Sequence, residues 1–311
     1  MTLRFGPLLP RLARRRHRRE SGRIARAATA RHYSRSGRHR LAPIFATAAL
    51  GCGMALATVA AGGILPPPLD GALVPGERVR IVETIDGDTV RLADGSEVRL
   101  VGLQAPKLAL GRPGFVDWPL ADAAKAALAR LADGEAAQLA FGGRRIDRHC
   151  RHLAHLLLDD GTPGGAWSQA ALLEQGMARV YSFADNRALV AEMLGIERDA
   201  RDAGRGIWAD PWYAVRDVDE VADDVDSYQL VEGRVLAAER VKGRGYLNFG
   251  ADWKTDFTLT LDREALRLFD EAGIDFEALA GHRIRARGWV EYFNGPMIEI
   301  THPEQIEDLE P

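Results

Sequence analysis

Apolar and polar residues alternate along residues 78–100 in a pattern that predicts strands with a hairpin. Two alternating runs flank Asp94-Gly95, and an Asp-Gly pair between such runs is the strongest short-range signal for a hairpin. Asp86 and Asp88 precede the first run, and Arg99 lies in the returning strand. The pattern therefore places two carboxylates and a guanidinium around one hairpin.

The hydrophobic pattern that follows, up to residue 206, predicts three helices and further strands. The helices are expected at residues 120–132, 168–175 and 186–203, the strands at 135–141 and 153–158, and a short extended run at 177–183. Gly176 and Gly204 follow two of these helices, as is typical of helix C-termini. This alternation of strands and helices predicts a mainly β domain with helices.

A second unit is predicted after an acidic linker at residues 215–226. Strand-like patterns cover residues 228–241, 246–249, 257–261, 284–292 and 297–300, with a helix at 263–272 before the last two. Asn294-Gly295 marks a hairpin between those last two strands. The order of three strands, a helix and two strands is that of an OB fold, so residues 227–311 are expected to form a second, small OB-like β-barrel.

Residues 41–65 carry no charge and are predicted to form a single apolar helix. A stretch of about 25 residues can span a bilayer, which needs roughly 20. It fits a signal anchor or a signal peptide cleaved near Val59-Ala60-Ala61. The basic residues before it predict a cytosolic N-terminus and a body outside the cytoplasm. The Ala- and Arg-rich composition suggests a bacterial source, and thus a membrane-anchored periplasmic or exported protein.

Charge is distributed unevenly along the 311 residues. Residues 1–40 contain 13 Arg and one Glu, whereas the rest contains 28 basic and 43 acidic residues, a net charge of −15. The basic segment is predicted to be a disordered tail that sets membrane orientation, although an arm for nucleic acid or anionic lipid, or a misplaced start codon, also fits. Residues 66–76 follow as a Pro-rich spacer. Because the body is acidic, binding of a polyanion would depend on local arginines.

A histidine- and cysteine-rich stretch at residues 149–155 raises the question of a zinc site. Strand alternation would put His149 and His155 on one side, and Cys150 and His152 on the other. Four such ligands cannot meet one tetrahedral ion without a kink. The pattern therefore favours surface or packing histidines. Only one other cysteine, Cys52, is present, and it lies in the apolar segment, so the cysteines do not identify a redox compartment.

Several short motifs, in a fixed order, resemble the staphylococcal nuclease, or thermonuclease-like, family over roughly residues 80–212. They are Asp86-Gly87-Asp88-Thr89, the strand end from Arg99 to Pro106, Asp147 to Ala154, Leu173 to Ala178, and Gly206-Ile207-Trp208. The resemblance implies a five-stranded OB-type barrel with three helices, here expected over residues 77–214. It also implies Ca²⁺-dependent hydrolysis of phosphodiester bonds in DNA or RNA.

The resemblance assigns roles to four residues of this chain. Asp88 matches a metal ligand, and Asp86 a carboxylate near the metal. Arg99 and Arg151 match the two catalytic arginines that hold the phosphate. A planar guanidinium suits that role because it can donate two parallel hydrogen bonds to phosphate oxygens.

Two positions depart from the family pattern. Gln104 stands where the family has a second metal-binding aspartate, and Lys107 stands where it has the catalytic glutamate. An ammonium cannot accept a proton unless its pKa falls by several units, and general-base catalysis contributes about 10²–10⁴-fold. The familiar activity is therefore expected to be lost, unless Glu83, Glu97 or Asp117 substitutes in a rearranged site.

Two functions remain open from the sequence. One is a thermonuclease-like hydrolase that uses Ca²⁺. The other is a non-catalytic envelope module that keeps the arginine pair and binds single-stranded DNA or RNA, another polymer, or an envelope protein. In the second unit, four aromatic residues are expected mainly to fill the barrel and its rim, with base stacking as the alternative. They are Trp253, Trp289, Tyr292 and Phe293.

Overall fold

The computed structural model describes residue 69 and residues 71–159, 161, 165–252 and 254–310. The predicted basic tail, the predicted apolar helix at 41–65, the first residues of the Pro-rich spacer and Trp253 lie outside the described residues. Within the described ranges, no helix is both long and apolar enough to cross a bilayer.

The first unit contains eight strands and three helices. The strands are β1 (Val74–Asp86), β2 (Thr89–Leu92), β3 (Glu97–Leu100), β4 (Leu103–Gln104), β5 (Ala136–Phe141), β6 (His152–Leu158), β7 (Ala166–Trp167) and β8 (Arg179–Val180). The helices are α1 (Ala121–Ala132), α2 (Ser168–Glu174) and α3 (Val190–Asp202). The three helices agree with the sequence prediction.

Five of these strands close into a barrel. β1 pairs antiparallel with β2 and with β5, β2 pairs with β3, and β5 pairs with β6. A parallel pairing of β3 with β6 completes the circle. The predicted five-stranded barrel is therefore confirmed.

The β2–β3 hairpin forms because its two strands present apolar side chains to the core at alternate positions. Val90, Val98 and Leu100 are completely buried, whereas Arg91 and Arg99 remain partly accessible. Gly95 closes the turn with a φ of 87°, a left-handed conformation that glycine adopts without a steric penalty.

Gly87 allows the β1–β2 turn to pack tightly against the rest of the barrel. A Cβ atom at this position would lie 2.6 Å from the Cβ of Ala105 and 2.9 Å from that of Ala124 in α1. The absence of a side chain therefore brings Asp86 and Asp88 close to the strand end that carries Ala105.

The second unit is a curled sheet with one α-helix, α4 (Arg263–Glu271). Its strands are β9 (Arg216–Asp217), β10 (Ser227–Arg234), β11 (Ala237–Val241), β12 (Arg244–Asn248), β13 (Thr258–Leu261), β14 (Arg283–Tyr292), β15 (Pro296–Ile300) and β16 (Ile306–Asp308). Short 3-10 helices lie at Gly206–Ala209, Pro211–Tyr213, Val221–Asp224, Phe276–Leu279 and Pro303–Gln305. The segment expected to be a linker thus contributes β9 and one of these short helices.

The pairing order explains why this sheet curls. It runs β11, β12, β13, β15, β14, β10 and β9, with a parallel step between β13 and β15.

The sequence predicted one strand over 228–241, but the structure divides it into β10 and β11. The chain bends at Val235, whose N–H donates to the backbone carbonyl of His282. As a result, β10 pairs with β14 and β11 pairs with β12.

The two units are joined by buried charged groups. Arg287 of β14 is fully buried and lies 3.0 Å from Glu197 of α3, which is also fully buried. Glu197 accepts a hydrogen bond from the backbone N–H of Val180 in β8 at 2.5 Å. The second unit therefore contacts the strand that borders the candidate site.

Candidate functional site

Asp88 is the centre of the candidate site and is completely buried between β1 and β2. Its Oδ2 atom accepts hydrogen bonds from Lys107 Nζ at 2.5 Å and from the Ala105 N–H at 2.8 Å. Its Oδ1 atom lies 3.0 Å from Arg99 Nη1. Both carboxylate oxygens, the groups that would face a metal, are therefore paired with groups of the chain itself.

Arg99 points toward the backbone of the same strand end. Nη1 donates to the carbonyl of Leu100 at 3.0 Å, and Nη2 donates to the carbonyl of Leu103 at 2.8 Å. Only 14% of its side chain is exposed. Nη1 also donates to the Asp88 carbonyl at 3.3 Å. The guanidinium predicted to bind phosphate is thus already engaged with the Asp88 carboxylate and three carbonyls.

The charges around Asp88 determine its ionisation. Burial raises the pKa of Asp88, but the charges of Arg99 and Lys107 outweigh burial and lower that pKa to about 2. Burial lowers the pKa of Lys107, while the neighbouring Asp88 and Asp86 oppose this change. At neutral pH, Asp88 is therefore an anion held between two cations.

Asp86 is the second carboxylate of the site, at the end of β1. Its Oδ1 atom accepts a hydrogen bond from the Asp88 N–H at 3.1 Å. Burial, and then the negative charge of Asp88, raise the pKa of Asp86. The formal charges of Asp86 and Asp88 balance those of Arg99 and Lys107.

Gln104 faces a residue that the sequence interpretation did not include. Its Oε1 atom accepts hydrogen bonds from Arg179 Nε at 3.1 Å and Nη2 at 2.8 Å. The buried Arg179 guanidinium also lies 4.7 Å from the ring centre of Tyr228. The amide oxygen at the second metal position is thus turned toward a cation.

Arg151 is placed just before β6, the strand that runs parallel to β3. Arg99 of β3 is in register with Leu153 of β6. Arg151 donates to Asp147 Oδ2 from Nε and from Nη2, at 2.8 Å in each case, and 28% of its side chain is exposed. The two predicted phosphate-binding arginines lie on neighbouring strands, but each already has a carboxylate partner.

The three proposed substitute carboxylates are engaged with other groups. Glu83 lies 2.5 Å from Arg91 Nη1, and Glu97 lies 3.4 Å from Arg91 Nη2. Asp117 accepts a hydrogen bond from the Ala109 N–H. These contacts give none of the three a position beside Asp88.

The residues present do not fit a calcium ion. Ca²⁺ takes six to eight oxygen ligands, among them anionic carboxylates. Here Asp88 is paired with Lys107 and Arg99, and the Gln104 oxygen is held by Arg179. An ammonium 2.5 Å from Asp88 Oδ2 would also repel a cation. Within the described residues, no cluster of three or more His, Cys, Asp or Glu side chains is arranged to hold a metal.

Among the described residues, the His and Cys side chains of 149–155 form no cluster arranged to hold a metal ion. His149 and Cys150 precede β6 in a turn, where Cys150 has a φ of 62°. His155 is buried and accepts a hydrogen bond from Trp167 Nε1 at 3.2 Å. Burial lowers the pKa of His155 to about 4. The default expectation of surface and packing histidines agrees with this arrangement.

Three of the four aromatic residues considered for base stacking lie largely at the surface. Trp289 is 45% exposed, Tyr292 67% and Phe293 73%, so these side chains do not fill the interior of the curled sheet. Trp253 lies outside the described residues.

Sequence reasoning missed two groups that define the site. One is Arg179, which follows the Leu173-to-Ala178 motif directly and pairs in β8 with Gln104 of β4. The other is the backbone N–H of Ala105, which has no sequence signature. The combination of a missing carboxylate at Gln104 and an arginine in the predicted extended run at 177–183 was the available signal for Arg179.

Comparisons with known proteins agree with the barrel and its motifs. Residues 97–210 match the family model described as staphylococcal nuclease homologue. Protein ParB of Escherichia coli is 32% identical over 158 residues, which cover 43% of this chain and 73% of ParB. On the strength of this match and of the closed barrel, the chain belongs to the family of staphylococcal nuclease homologues.

Proposed function

We propose that this protein is a nuclease-family member that binds its partner without hydrolysing phosphodiester bonds. In this proposal, the ammonium of Lys107 and the guanidinium of Arg99 take the place of a metal ion beside Asp88. The barrel keeps its shape because the buried carboxylate keeps cationic partners.

The contact of Lys107 with Asp88 is the observation that carries the proposal. Asp88 is 0% exposed and Lys107 Nζ lies 2.5 Å from its Oδ2 atom. Breaking a buried ion pair by removing one partner typically costs about 3–5 kcal/mol. A metal ion would have to displace Lys107 and leave an ammonium in the same pocket, which disfavours metal binding at this position.

The chemistry of hydrolysis lacks further groups here. A nucleophilic water needs a carboxylate or another base within hydrogen-bond reach. Asp88, the family's metal ligand, is already paired with Lys107 and Arg99, so no metal-bound water would be held beside Asp86. Developing charge on a phosphoryl group also needs unoccupied cationic donors, whereas Arg99 donates to three backbone carbonyls.

The proposal also covers the cellular location of the protein and the class of its partner. Residues 41–65 would attach the chain to a membrane, or direct its export, with the body outside the cytoplasm. Single-stranded nucleic acid is the proposed partner class, and another envelope polymer or protein is the alternative. Support comes from the family relationship and from the arginines near the site, of which Arg151 keeps 28% of its side chain exposed.

A cleavage assay tests the absence of hydrolysis. The full-length protein is incubated with labelled single-stranded DNA in Ca²⁺ and, as a control, in a chelator. We expect no protein-dependent cleavage in either condition. Cleavage that requires Ca²⁺ and scales with protein concentration would overturn the proposal in favour of a rearranged active site.

The double variant Gln104→Asp/Lys107→Glu sharpens this test. It restores both family carboxylates and removes the ammonium, so some Ca²⁺-dependent cleavage should appear. The single variant Lys107→Met is the matched control, because it removes the ammonium without adding a carboxylate. If the double variant also fails to cleave while its fold is intact, groups beyond Gln104 and Lys107 have been altered.

A further inference from the structure

A chain of aromatic rings crosses the boundary between the two units, and we call it the aromatic track. The ring centre of Phe183 lies 4.9 Å from that of Tyr181, which lies 4.7 Å from that of Tyr228. Tyr228 lies 6.5 Å from Trp289 of β14. Trp289 Nε1 also donates to Tyr181 Oη at 3.1 Å, so the rings of the two units form one connected surface.

The two ends of the aromatic track are open to solvent. Phe183 is 51% exposed and Trp289 is 45% exposed. Tyr181 between them is half-buried, and Tyr228 supports it from below with 5% exposure. Rings that are fixed by neighbouring rings and still expose half of their surface can stack against flat ligand groups without being reorganised.

A basic loop, residues 144–152, lies beside one end of the aromatic track. It contains four arginines and one aspartate in nine residues. The Arg144 N–H donates to the carbonyl of Asp185 at 3.0 Å, and Asn186 Nδ2 donates to the carbonyl of Arg144 at 2.8 Å. The turn that begins at Phe183 therefore packs directly on the basic loop.

The positive charge of this loop contrasts with the rest of the body. Residues 41–311 carry a net charge of −15, yet Arg144 exposes 60% of its side chain and Arg151 exposes 28%. The Arg145 guanidinium lies 4.7 Å above the ring of Phe141, which orients it on the surface of the barrel. Arg144 Nη1 lies 3.7 Å from Asp185 Oδ2, yet its side chain stays largely exposed. The basic loop therefore offers an anionic chain exposed guanidinium groups on an otherwise acidic body.

We propose that the basic loop and the aromatic track form one binding surface for single-stranded nucleic acid, which extends from the nuclease-like unit onto Trp289 of the second unit. The phosphates contact the arginines of the basic loop, and successive bases stack on Phe183, Tyr181 and Trp289. This proposal rests on the proposed non-hydrolytic binding and adds the second unit as a contributor to the site.

The chemistry of the surface favours nucleic acid over an acidic polysaccharide. Single-stranded nucleic acid combines one anionic phosphate per residue with a planar base that has two stacking faces, and aromatic side chains beside basic grooves bind this combination. A sulfated polysaccharide would use the arginines in the same way but presents no aromatic base to Trp289. The ends of the aromatic track therefore distinguish the two ligands.

Binding of a 5′-fluorescein-labelled oligothymidylate of about 15 nucleotides to the full-length protein tests the proposal. The measurement is made by fluorescence anisotropy in a chelator, so that any hydrolysis cannot change the result. We expect Trp289→Leu and Phe183→Leu each to weaken binding by about 5- to 150-fold, the usual loss for one stacking base. Substituting Arg144 with Gln should reduce the slope of log Kd against the logarithm of the salt concentration by about one.

Phe293→Leu is the matched control. Phe293 lies in the same unit as Trp289 and is more exposed, at 73%, but no ring contact joins it to the aromatic track. The affinity of the Phe293→Leu variant for the oligonucleotide should equal that of the unaltered protein. Circular dichroism of each variant confirms that a loss of binding does not reflect unfolding.

Three results would overturn the proposed surface. The first is that the oligonucleotide does not bind. The second is that Phe293→Leu and Trp289→Leu weaken binding equally. The third is that heparin displaces the oligonucleotide while neither Trp289→Leu nor Phe183→Leu changes its affinity. None of these results concerns cleavage, so the proposed absence of hydrolysis would be judged by the Ca²⁺ assay alone. If the protein cleaves DNA in that assay and its binding still depends on Trp289, the proposed binding surface stands and the proposed non-hydrolytic function is wrong.

Discussion

Two buried ion clusters in this molecule contain the same kinds of groups but lie in different places. In the first, Asp88 is held between Lys107 and Arg99 at the position where the nuclease family places its metal. In the second, Arg287 is held between Glu197 and Glu307 at the junction of the two units, at 3.0 and 2.5 Å. A buried carboxylate has cationic partners in both.

The difference between the clusters lies in what surrounds them. Glu197 and Arg287, at the centre of the junction cluster, are both fully buried. Lys107 keeps 21% of its side chain exposed and Asp86 keeps 9% of its surface, so the first cluster borders solvent. The comparison indicates that the junction cluster serves assembly. In the function proposed above, the Asp88 cluster is instead the family's reaction site, closed by the side chain of Lys107.

Removing the junction cation should have the largest effect. Arg287→Met leaves Glu197 and Glu307 buried without their shared partner, so the free energy of unfolding should fall by about 3–5 kcal/mol. Urea denaturation measures this change. Arg267→Ala, which breaks only two exposed ion pairs within α4, should leave the transition unchanged. Equal effects of the two substitutions would show that the junction contributes no more than a surface ion pair.

Removing the cation of the site should have a smaller but clear effect. Lys107→Met leaves Asp88 buried, although Arg99 and the Ala105 N–H still contact it, so the loss should be about 2–3 kcal/mol. The same urea experiment on Lys125→Met, a change of a half-buried lysine of α1, provides the control. A stability for Lys107→Met equal to that of the control would contradict the assigned role of the ammonium.

Two buried histidines should make the protein less stable in mild acid. Burial lowers the pKa values of His155 and His302 to about 4, below the usual 6.5 of an unfolded chain. The unfolded chain therefore binds more protons between these values, and stability that is complete above pH 6.5 is lost as pH falls toward 4.

The slope of this loss identifies the histidines. Each should contribute about 1.4 kcal/mol per pH unit, so replacing His302, which contacts Ser182 Oγ across the junction at 2.7 Å, with Gln should reduce the slope by that amount. Replacing the exposed His149 with Gln should leave the slope as it was. Urea denaturation at pH 7, 6 and 5 gives the slopes, and a His302→Gln slope equal to that of the unaltered protein would contradict the assignment.

Asp86→Asn should have the smallest effect and the opposite sign. Because burial and Asp88 raise the pKa of Asp86, its ionised form costs stability above that pKa, and the neutral amide removes this cost. The amide oxygen can still accept from the Asp88 N–H. We expect a gain below about 1 kcal/mol at pH 7 that disappears in acid, whereas a loss at pH 7 would show that the carboxylate charge stabilises the cluster.

The sequence contained enough information for the barrel but not for the closure of its site. The alternating runs around Asp94-Gly95 and the helix at 120–132 correspond to β2, β3 and α1, because local periodicity decides which residues face a core. The bend at Val235 was missed because its cause is a change of partner: β10 pairs with the distant strand β14, whereas β11 pairs with its neighbour β12.

The site was predictable in part. The residue types at Gln104 and Lys107 indicated a departure from the family chemistry, and this was visible without coordinates. The hydrogen-bond partner of Gln104 could not be predicted, because Arg179 comes from a strand 75 residues away. Whether Lys107 would repel a metal from a distance or replace it on Asp88 depends on a few ångströms of loop geometry between Pro106 and α1.

The response of thermal stability to Ca²⁺ tests the central claim most directly, since a ligand that binds only the folded state must raise the melting temperature. The unaltered protein and the Gln104→Asp/Lys107→Glu variant are melted in 10 mM Ca²⁺ and in a chelator, at about tenfold excess over a millimolar Kd. We predict no shift for the unaltered protein and a rise of roughly 2–4 °C for the variant. A chelator-reversible rise in the unaltered protein would contradict the claim that Lys107 stands in the place of the metal.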